Sequence, residues 1–232
     1  MKIGTKVNLI LIIVFIVGIL ISGLALSNVL NQKAQNEINS KALALMTMNN
    51  SVRSYTNERI EPILAPKAEI AENFIPESIP SFSVREVFEY FRSNQEYADF
   101  FYKDATLNPT NLRDKADDFE TKIVKQFREK SAAKTSSGFR TMAGARLYYT
   151  ARPISIKKAS CLRCHSVPEN APKSQLTTYG DKHGFGWQLN KVLGIQIVYV
   201  PAENILQNAH RSFMLITGIV AIVFIIVVII KN

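Results

Sequence analysis

Hydrophobic residues are concentrated in two long runs, one near each end of the chain. The first carries no charge from Val7 to Gln32, and its apolar centre, Leu9 to Leu26, is long enough to cross the hydrocarbon core of a bilayer. The second, Phe213 to Ile230, has no polar face, which disfavours a buried core helix. We predict transmembrane helices over 7–30 and 213–230, with a water-exposed domain over 33–212 between them.

The first run has a second interpretation. Ala25-Leu26-Ser27 loosely resembles a signal-peptide cleavage site, although the run is longer than the apolar part of a usual signal peptide. Lys2 and Lys6 before the first run and Lys231 after the second favour the cytoplasm for both ends. The domain between the runs is then expected in the periplasm, or on another extracytoplasmic side, of an inner (cytoplasmic) membrane.

Helical periodicity is visible in three segments of the central domain. The predicted helices are 33–60, ended by Pro62 and Pro66; Ser83–Arg92, with Ser83 as N-cap; and Lys115–Lys130. The first helix has two stripes that could face a core. One stripe holds Leu43, Met46, Asn50, Arg53 and Asn57, and the other holds Ala42, Leu45, Met48, Val52 and Tyr55.

Alternation of apolar and polar residues replaces the helical period later in the chain. Gly138–Thr150 reads as a hairpin around Gly144, which Arg152–Ile156 extends. Tyr97–Ala105 and Gly194–Pro201 are further predicted strands, and residues 157–186 read as a loop. Helices followed by antiparallel strands predict an α+β domain built on one sheet.

Charge and composition exclude some classes of function. Of the net charge of +9, the three terminal lysines carry +3, and the remaining +6 is spread over the central domain. No basic stripe is interleaved with aromatic residues, so we expect no nucleic-acid partner. No acid–base pair or second metal site is visible in the sequence, so we do not expect an enzyme.

The candidate chemistry lies in Cys161-Leu162-Arg163-Cys164-His165, which contains both cysteines of the chain. Two residues between the thiols let both sulfurs reach the vinyl groups of one haem, and the adjacent histidine can bind its iron. A disulfide, a thioredoxin-like redox pair and a zinc site completed by His183 or His210 are the alternatives. Haem c is attached outside the cytoplasm, which agrees with the predicted location, so we predict covalent haem c.

The sixth iron position is left open by this motif. The side chains that could fill it are few: Met46, Met48, Met142 and His183. Each of them has an ordinary structural explanation, because a helix methionine usually fills a core. An iron with no sixth protein ligand is the remaining alternative.

Several further segments of the sequence resemble one family. They are Met48–Thr56, Lys103–Asn111, Tyr148–Pro153, Gly184–Trp187 and Val192–Gln196. With the haem motif, they resemble the single-haem c-type periplasmic sensor domains over about residues 40–205. The resemblance implies a PAS-like antiparallel sheet with flanking helices, between the two transmembrane helices, and a haem packed against that sheet.

The resemblance also bears on the sixth ligand. A relative takes that ligand from a cysteine in its first helical region, and this chain has no cysteine there. A thioether is the nearest substitute, so the expected ligand is Met48, on the stripe with Leu45, Val52 and Tyr55 that we predict to face the core. Met46 lies on the opposite side of the helix.

The expected function is that of a membrane-anchored haem c protein that senses redox state or a small ligand. An electron-transfer cytochrome c between membrane or periplasmic partners is the alternative. Sensor relatives often continue into a cytoplasmic output module, whereas this sequence ends at Asn232. A sensor of this kind is expected to signal through an unidentified membrane or periplasmic partner, and a homodimer is left open.

Overall fold

The computed structural model describes residues 3–71, 73–129 and 133–231. The chain divides into two units, one made of the residues up to Ile38 with those from Ala202 onward, and the other made of Asn39–Pro201. Lys2, which supports the predicted orientation, and Lys130, the last residue of a predicted helix, lie outside the described residues.

The helices and strands follow one another in a mixed order. They are α1 (Ile3–Tyr55), a π-helical turn (Thr56–Ile60), α2 (Glu61–Ile70), α3 (Pro80–Arg92), β1 (Phe101–Thr106), α4 (Asp118–Glu129), β2 (Ser136–Met142), β3 (Ala145–Ser155), α5 (Leu162–His165), α6 (Lys173–Tyr179), β4 (Val192–Pro201) and α7 (Glu203–Lys231). The predicted helices and strands are all present, with shifted ends.

The terminal unit contains most of the apolar length of α1 and α7. Both helices are long and apolar enough to cross a membrane, with mean hydropathy of 3.2 and 3.3 in their most apolar windows. None of the residues in these windows is buried, so the structure does not support buried core helices. Phe15 and Phe224 stack with ring centroids 4.4 Å apart.

The central unit is built on one antiparallel sheet with strand order β1-β4-β3-β2. β2 and β3 are joined through Ala143 and Gly144, whose φ angles are 48° and 82°. A two-residue turn with both φ values positive matches the right-handed twist of a hairpin. The hairpin predicted around Gly144 and the α+β class are confirmed, while the PAS-like identity stays a prediction.

One hydrophobic cluster holds α4 against this sheet. It contains Ala105, Ile123, Val124, Phe127, Leu147, Ala151, Ile195, Ile197 and Tyr199. The spacing of Ile123 and Phe127 places both on one face of α4, as predicted from the helical period. The other side of β1 and β4 meets α1.

The buried face of α1 runs through Ile38, Ala42 and Met46, which corrects the predicted core-facing stripe. Met48 and Tyr55 are 59 % and 61 % exposed, and of the predicted stripe only Ala42 is buried. The face becomes polar towards its end, where Arg53 donates to Asp104 Oδ2 at 2.5 Å.

Three prolines also change the predicted helix ends. Pro62 and Pro66 lie inside α2 instead of ending a helix, and Pro62 occupies the first turn, where a missing N–H is tolerated. Pro80 starts α3, so Ser83 is not the N-cap; its N–H donates to the Ile79 carbonyl at 3.1 Å, inside the helix.

β1 and β4 approach each other closely at Gly194, so a larger residue at this position should destabilise the sheet. A Cβ at Gly194 would lie 2.9 Å from Thr106 Cα and against the Ala105 carbonyl, and neither backbone atom can move alone. We expect Gly194→Ala to lower the free energy of unfolding by about 1–3 kcal/mol, the usual cost of overpacking. Chemical denaturation of the full chain in detergent measures it.

Gly138→Ala in β2 is the matched control. Its Cβ would meet only the Tyr149 side chain, at 3.1 Å from Cε1, and that ring can shift. An equal loss of stability in the two variants would contradict the assigned close approach.

Candidate haem site

The Cys161–His165 motif lies on short helical elements of the segment predicted as a loop. Cys161 ends a 3-10 turn, Ala159–Cys161, and α5 carries Cys164 and His165. Helices this short leave no periodic pattern in a sequence, so the loop prediction was wrong for these elements. Both cysteines are free thiols and partly buried, so the structure does not contain the alternative disulfide.

The imidazole of His165 is held in a defined state. Its Nδ1 lies 2.8 Å from the carbonyl oxygen of Gly184. A carbonyl oxygen can only accept, so Nδ1 carries the hydrogen and donates it. Burial lowers the pKa of His165, and the Gly184 carbonyl offsets part of this effect. The ring is therefore neutral near pH 7, with the lone pair of Nε2 available to a metal.

A second contact covers one face of the same ring. The indole of Trp187 stacks on the His165 imidazole with centroids 3.8 Å apart and planes 11° apart. The loop that carries Trp187 runs beside the motif: the Trp187 N–H donates to the His165 carbonyl at 3.1 Å, and the Gly186 N–H donates to the Ser166 carbonyl at 2.8 Å. The histidine is thus fixed at its ring edge, ring face and backbone.

α6 supports the motif from another side. Gln175 is 3 % exposed, and its Nε2 donates to the Cys164 carbonyl at 3.0 Å. Sequence reasoning assigned no role to Gln175, Gly184 or Trp187. Gly184–Trp187 entered only as a segment of the family resemblance, and that segment was the signal that could have found the last two.

The two thiols are kept protonated. Burial raises the pKa of Cys161 and of Cys164. The carboxylate of Glu61, at the start of α2, raises both further, while Lys158 acts in the opposite direction on Cys161 and Arg163 on Cys164.

The methionine candidates lie on α1 and β2. Met48 is 59 % exposed on α1. Met46 is buried between α1 and the sheet, and Met142 packs against the core cluster. Met48 as sixth ligand stays a prediction, without the packing argument that selected it. His183 is adjacent in sequence to Gly184 and is partly buried.

The fold and the site together define a class of protein. It is an α+β domain with one antiparallel sheet and a Cys-X-X-Cys-His motif, whose neutral histidine donates its Nδ1–H to a backbone carbonyl. The Tll0287-like family model matches residues 31–201, and the chain belongs to this family.

One solved structure with a similar chain is the crystal structure of the cyanobacterial heme-protein Tll0287. Its sequence is 17 % identical, the match covers 71 % of this chain and 95 % of that one, and the TM-score is 0.46. No curated protein matches this chain.

Gly184, whose carbonyl accepts from His165, should not tolerate a side chain. Gly184 has φ +84°, and a Cβ there would lie 2.7 Å from Thr110 Cα. We expect Gly184→Ala to destabilise the chain by about 2–4 kcal/mol, through left-handed strain and this clash. The emission of Trp187, the one tryptophan in the sequence, should shift in the haem-free chain as its loop moves.

Gly180→Ala is the control for backbone strain alone. Its φ of +78° is nearly the same, and no atom lies within 4 Å of its added Cβ. Gly180→Ala should cost only the backbone strain, about 1–3 kcal/mol, and should keep the wild-type emission. Emission shifts of equal size in the two variants would speak against a specific Gly184–Thr110 contact.

Proposed function

We propose that this chain is a membrane-anchored c-type haem protein whose haem domain lies outside the cytoplasm and senses redox state or a small ligand. The observation that carries the proposal is the state of His165: Nδ1 bound to a carbonyl, Nε2 free, and two free thiols within the same five-residue motif. We also propose that the sheet is PAS-like, in line with its antiparallel order and flanking helices.

The residues present fit haem c. Cys161 and Cys164 would hold it by thioether bonds, which form from protonated or ionised thiols and vinyl groups, and His165 Nε2 would be its axial ligand. When bound, the haem supplies reversible one-electron exchange at iron and a sixth position for a ligand. The Gly184 carbonyl keeps the proton on Nδ1, so Nε2 retains its lone pair.

Membrane anchoring is supported by the exposure of the two apolar helices. Leu20, Ile21 and Leu24 of α1 are 62–70 % exposed, and Ile229 and Ile230 of α7 are 68 % and 80 % exposed. Leaving such side chains in water is unfavourable by roughly 25 cal/mol per Å² of apolar surface. We propose spans over 7–30 and 213–230 with both ends in the cytoplasm, and signalling through a membrane or periplasmic partner protein.

Electron transfer is the second candidate function, and one observation favours it. Trp187 is partly exposed and stacks directly on His165, so a π-system connects the proposed ligand with the protein surface. Binding of carbon monoxide by the reduced protein favours the sensor. Fast electron exchange with a second cytochrome, without carbon monoxide binding, favours the carrier.

Covalent attachment is the most direct test. The full chain, produced with a cytochrome c maturation system and then denatured, should show an intact mass increased by one haem. Cys161→Ser/Cys164→Ser should show the mass of the polypeptide alone, because both attachment sulfurs are gone. Haem that leaves the wild-type chain on denaturation would sink the c-type assignment.

The identity of the axial histidine predicts a contrast between two variants. His165→Ala should strongly change the visible spectrum of the bound haem, because it removes the imidazole fixed beside the thiols. His183→Ala, a matched change next to Gly184, should change that spectrum less. Absorption spectra of the oxidised and reduced proteins provide the measurement; equal damage from the two changes would count against His165.

A further inference from the structure

The carbonyl that binds His165 is itself held by another side chain, that of Asn108. The Asn108 amide contacts the chain on both sides of the Gly184 carbonyl: Oδ1 accepts from the Gly184 N–H at 3.3 Å, and Nδ2 donates to the Phe185 carbonyl at 3.1 Å. The two backbone groups that flank the Gly184 carbonyl are thus both hydrogen-bonded by one asparagine from the loop after β1.

The backbone of the same residue fixes the stacked indole. The Nε1–H of Trp187 donates to the Asn108 carbonyl at 3.1 Å. Pro109 follows and is buried, and a residue before proline is restricted to extended conformations. Asn108 therefore contacts the loop on both sides of the Gly184 carbonyl through its side chain and holds the stacked indole through its backbone. A further contact of the His165 ring is with Thr110, whose Oγ1 lies 3.4 Å from Nδ1.

We infer that Asn108 and Trp187 are positioning residues that set the donor strength and ring orientation of His165. The inference rests on the proposed function, because donor strength matters only if His165 is an axial ligand. An imidazole whose Nδ1–H is held by a carbonyl is a more basic ligand at Nε2, which favours the ferric iron. Trp187 limits rotation of the ring by stacking on it.

The first test uses the chain without haem, where the state of His165 can be read by ¹⁵N NMR of its ring. The wild type should have its hydrogen on Nδ1. Asn108→Ala should give a mixture of tautomers, because the Gly184 carbonyl is no longer held. Asn108→Asp keeps the acceptor for the Gly184 N–H but loses the donor to the Phe185 carbonyl, so it should give a smaller but measurable share of the other tautomer.

The matched control is Asn111→Ala, three residues along the same loop. The Asn111 side chain accepts from the Arg113 N–H at 3.0 Å. This contact stays within the loop after β1 and does not involve the Gly184 loop, so the variant should keep the wild-type tautomer. Circular dichroism establishes that each variant is folded; if Asn108→Ala is not, Asn108→Asp decides the test.

The second test uses the haem-loaded chain. Asn108→Ala should shift the reduction potential to a more positive value, and Asn111→Ala should not. Trp187→Leu should change the g-values of the ferric haem in electron paramagnetic resonance, and Trp187→Phe, which keeps a stacking ring, should change them less. These readouts report the ligand and not merely the amount of folded protein.

A folded Asn108→Ala or Asn108→Asp chain with the wild-type tautomer and potential would overturn the inference. The proposed function fails separately, if the wild-type chain takes up no covalent haem. In that case the tautomer experiment still decides whether Asn108 positions His165.

Discussion

At Thr106 and Gly194, β1 and β4 approach so closely that no side chain larger than hydrogen fits between them. The Leu107 N–H still donates across this gap, to the Leu193 carbonyl at 3.3 Å. β1 ends here and β4 has just begun, so the loop after β1 and the loop before β4 leave the sheet side by side. These two loops carry Asn108 and Trp187. The site around His165 therefore depends on the register of β4 against β1. A shift of β4 by one residue would change which residues of the two loops lie side by side. It would also turn every side chain of that strand to the other face of the sheet.

The register is held by a buried carboxylate on α4. Glu120 is 2 % exposed. It accepts from Lys103 Nζ of β1 at 2.8 Å and from the Tyr199 hydroxyl of β4 at 3.1 Å, and Arg140 of β2 donates to that hydroxyl at 2.7 Å. The Asp117 N–H donates to Glu120, and the Glu120 N–H donates back to Asp117, which forms the N-terminal cap of α4. Removing one partner of a buried charge is costly, so this network ties α4 and three strands to one arrangement.

The sequence predicts elements whose determinants are local, and it fails where a distant partner decides. The hairpin at Gly144 follows from alternation and a turn glycine, and the amphipathic face of α4 follows from its period. The buried face of α1 does not, because apolar residues occur on several sides of this helix, and its position is set by distant contacts such as those of Asn50 with Gln196 and of Arg53 with Asp104. In the site, the motif is visible from spacing alone. The partners of His165 are not, since they come from two other loops that only the sheet brings together.

The arrangement of the three motif side chains separates haem from the other interpretations of the motif. Zinc requires ligands that converge on one point, and among residues 3–71, 73–129 and 133–231 no three histidine, cysteine or acidic side chains do so. A thioredoxin-like pair requires a thiol with a lowered pKa, whereas burial raises the pKa of both Cys161 and Cys164. Haem c requires neither feature, because its two thiols bond to the edge of a macrocycle and its histidine binds the iron at the centre. The structure agrees with these two separate roles. Both thiols remain protonated, and the Nδ1 hydrogen bond of the imidazole leaves its Nε2 lone pair free.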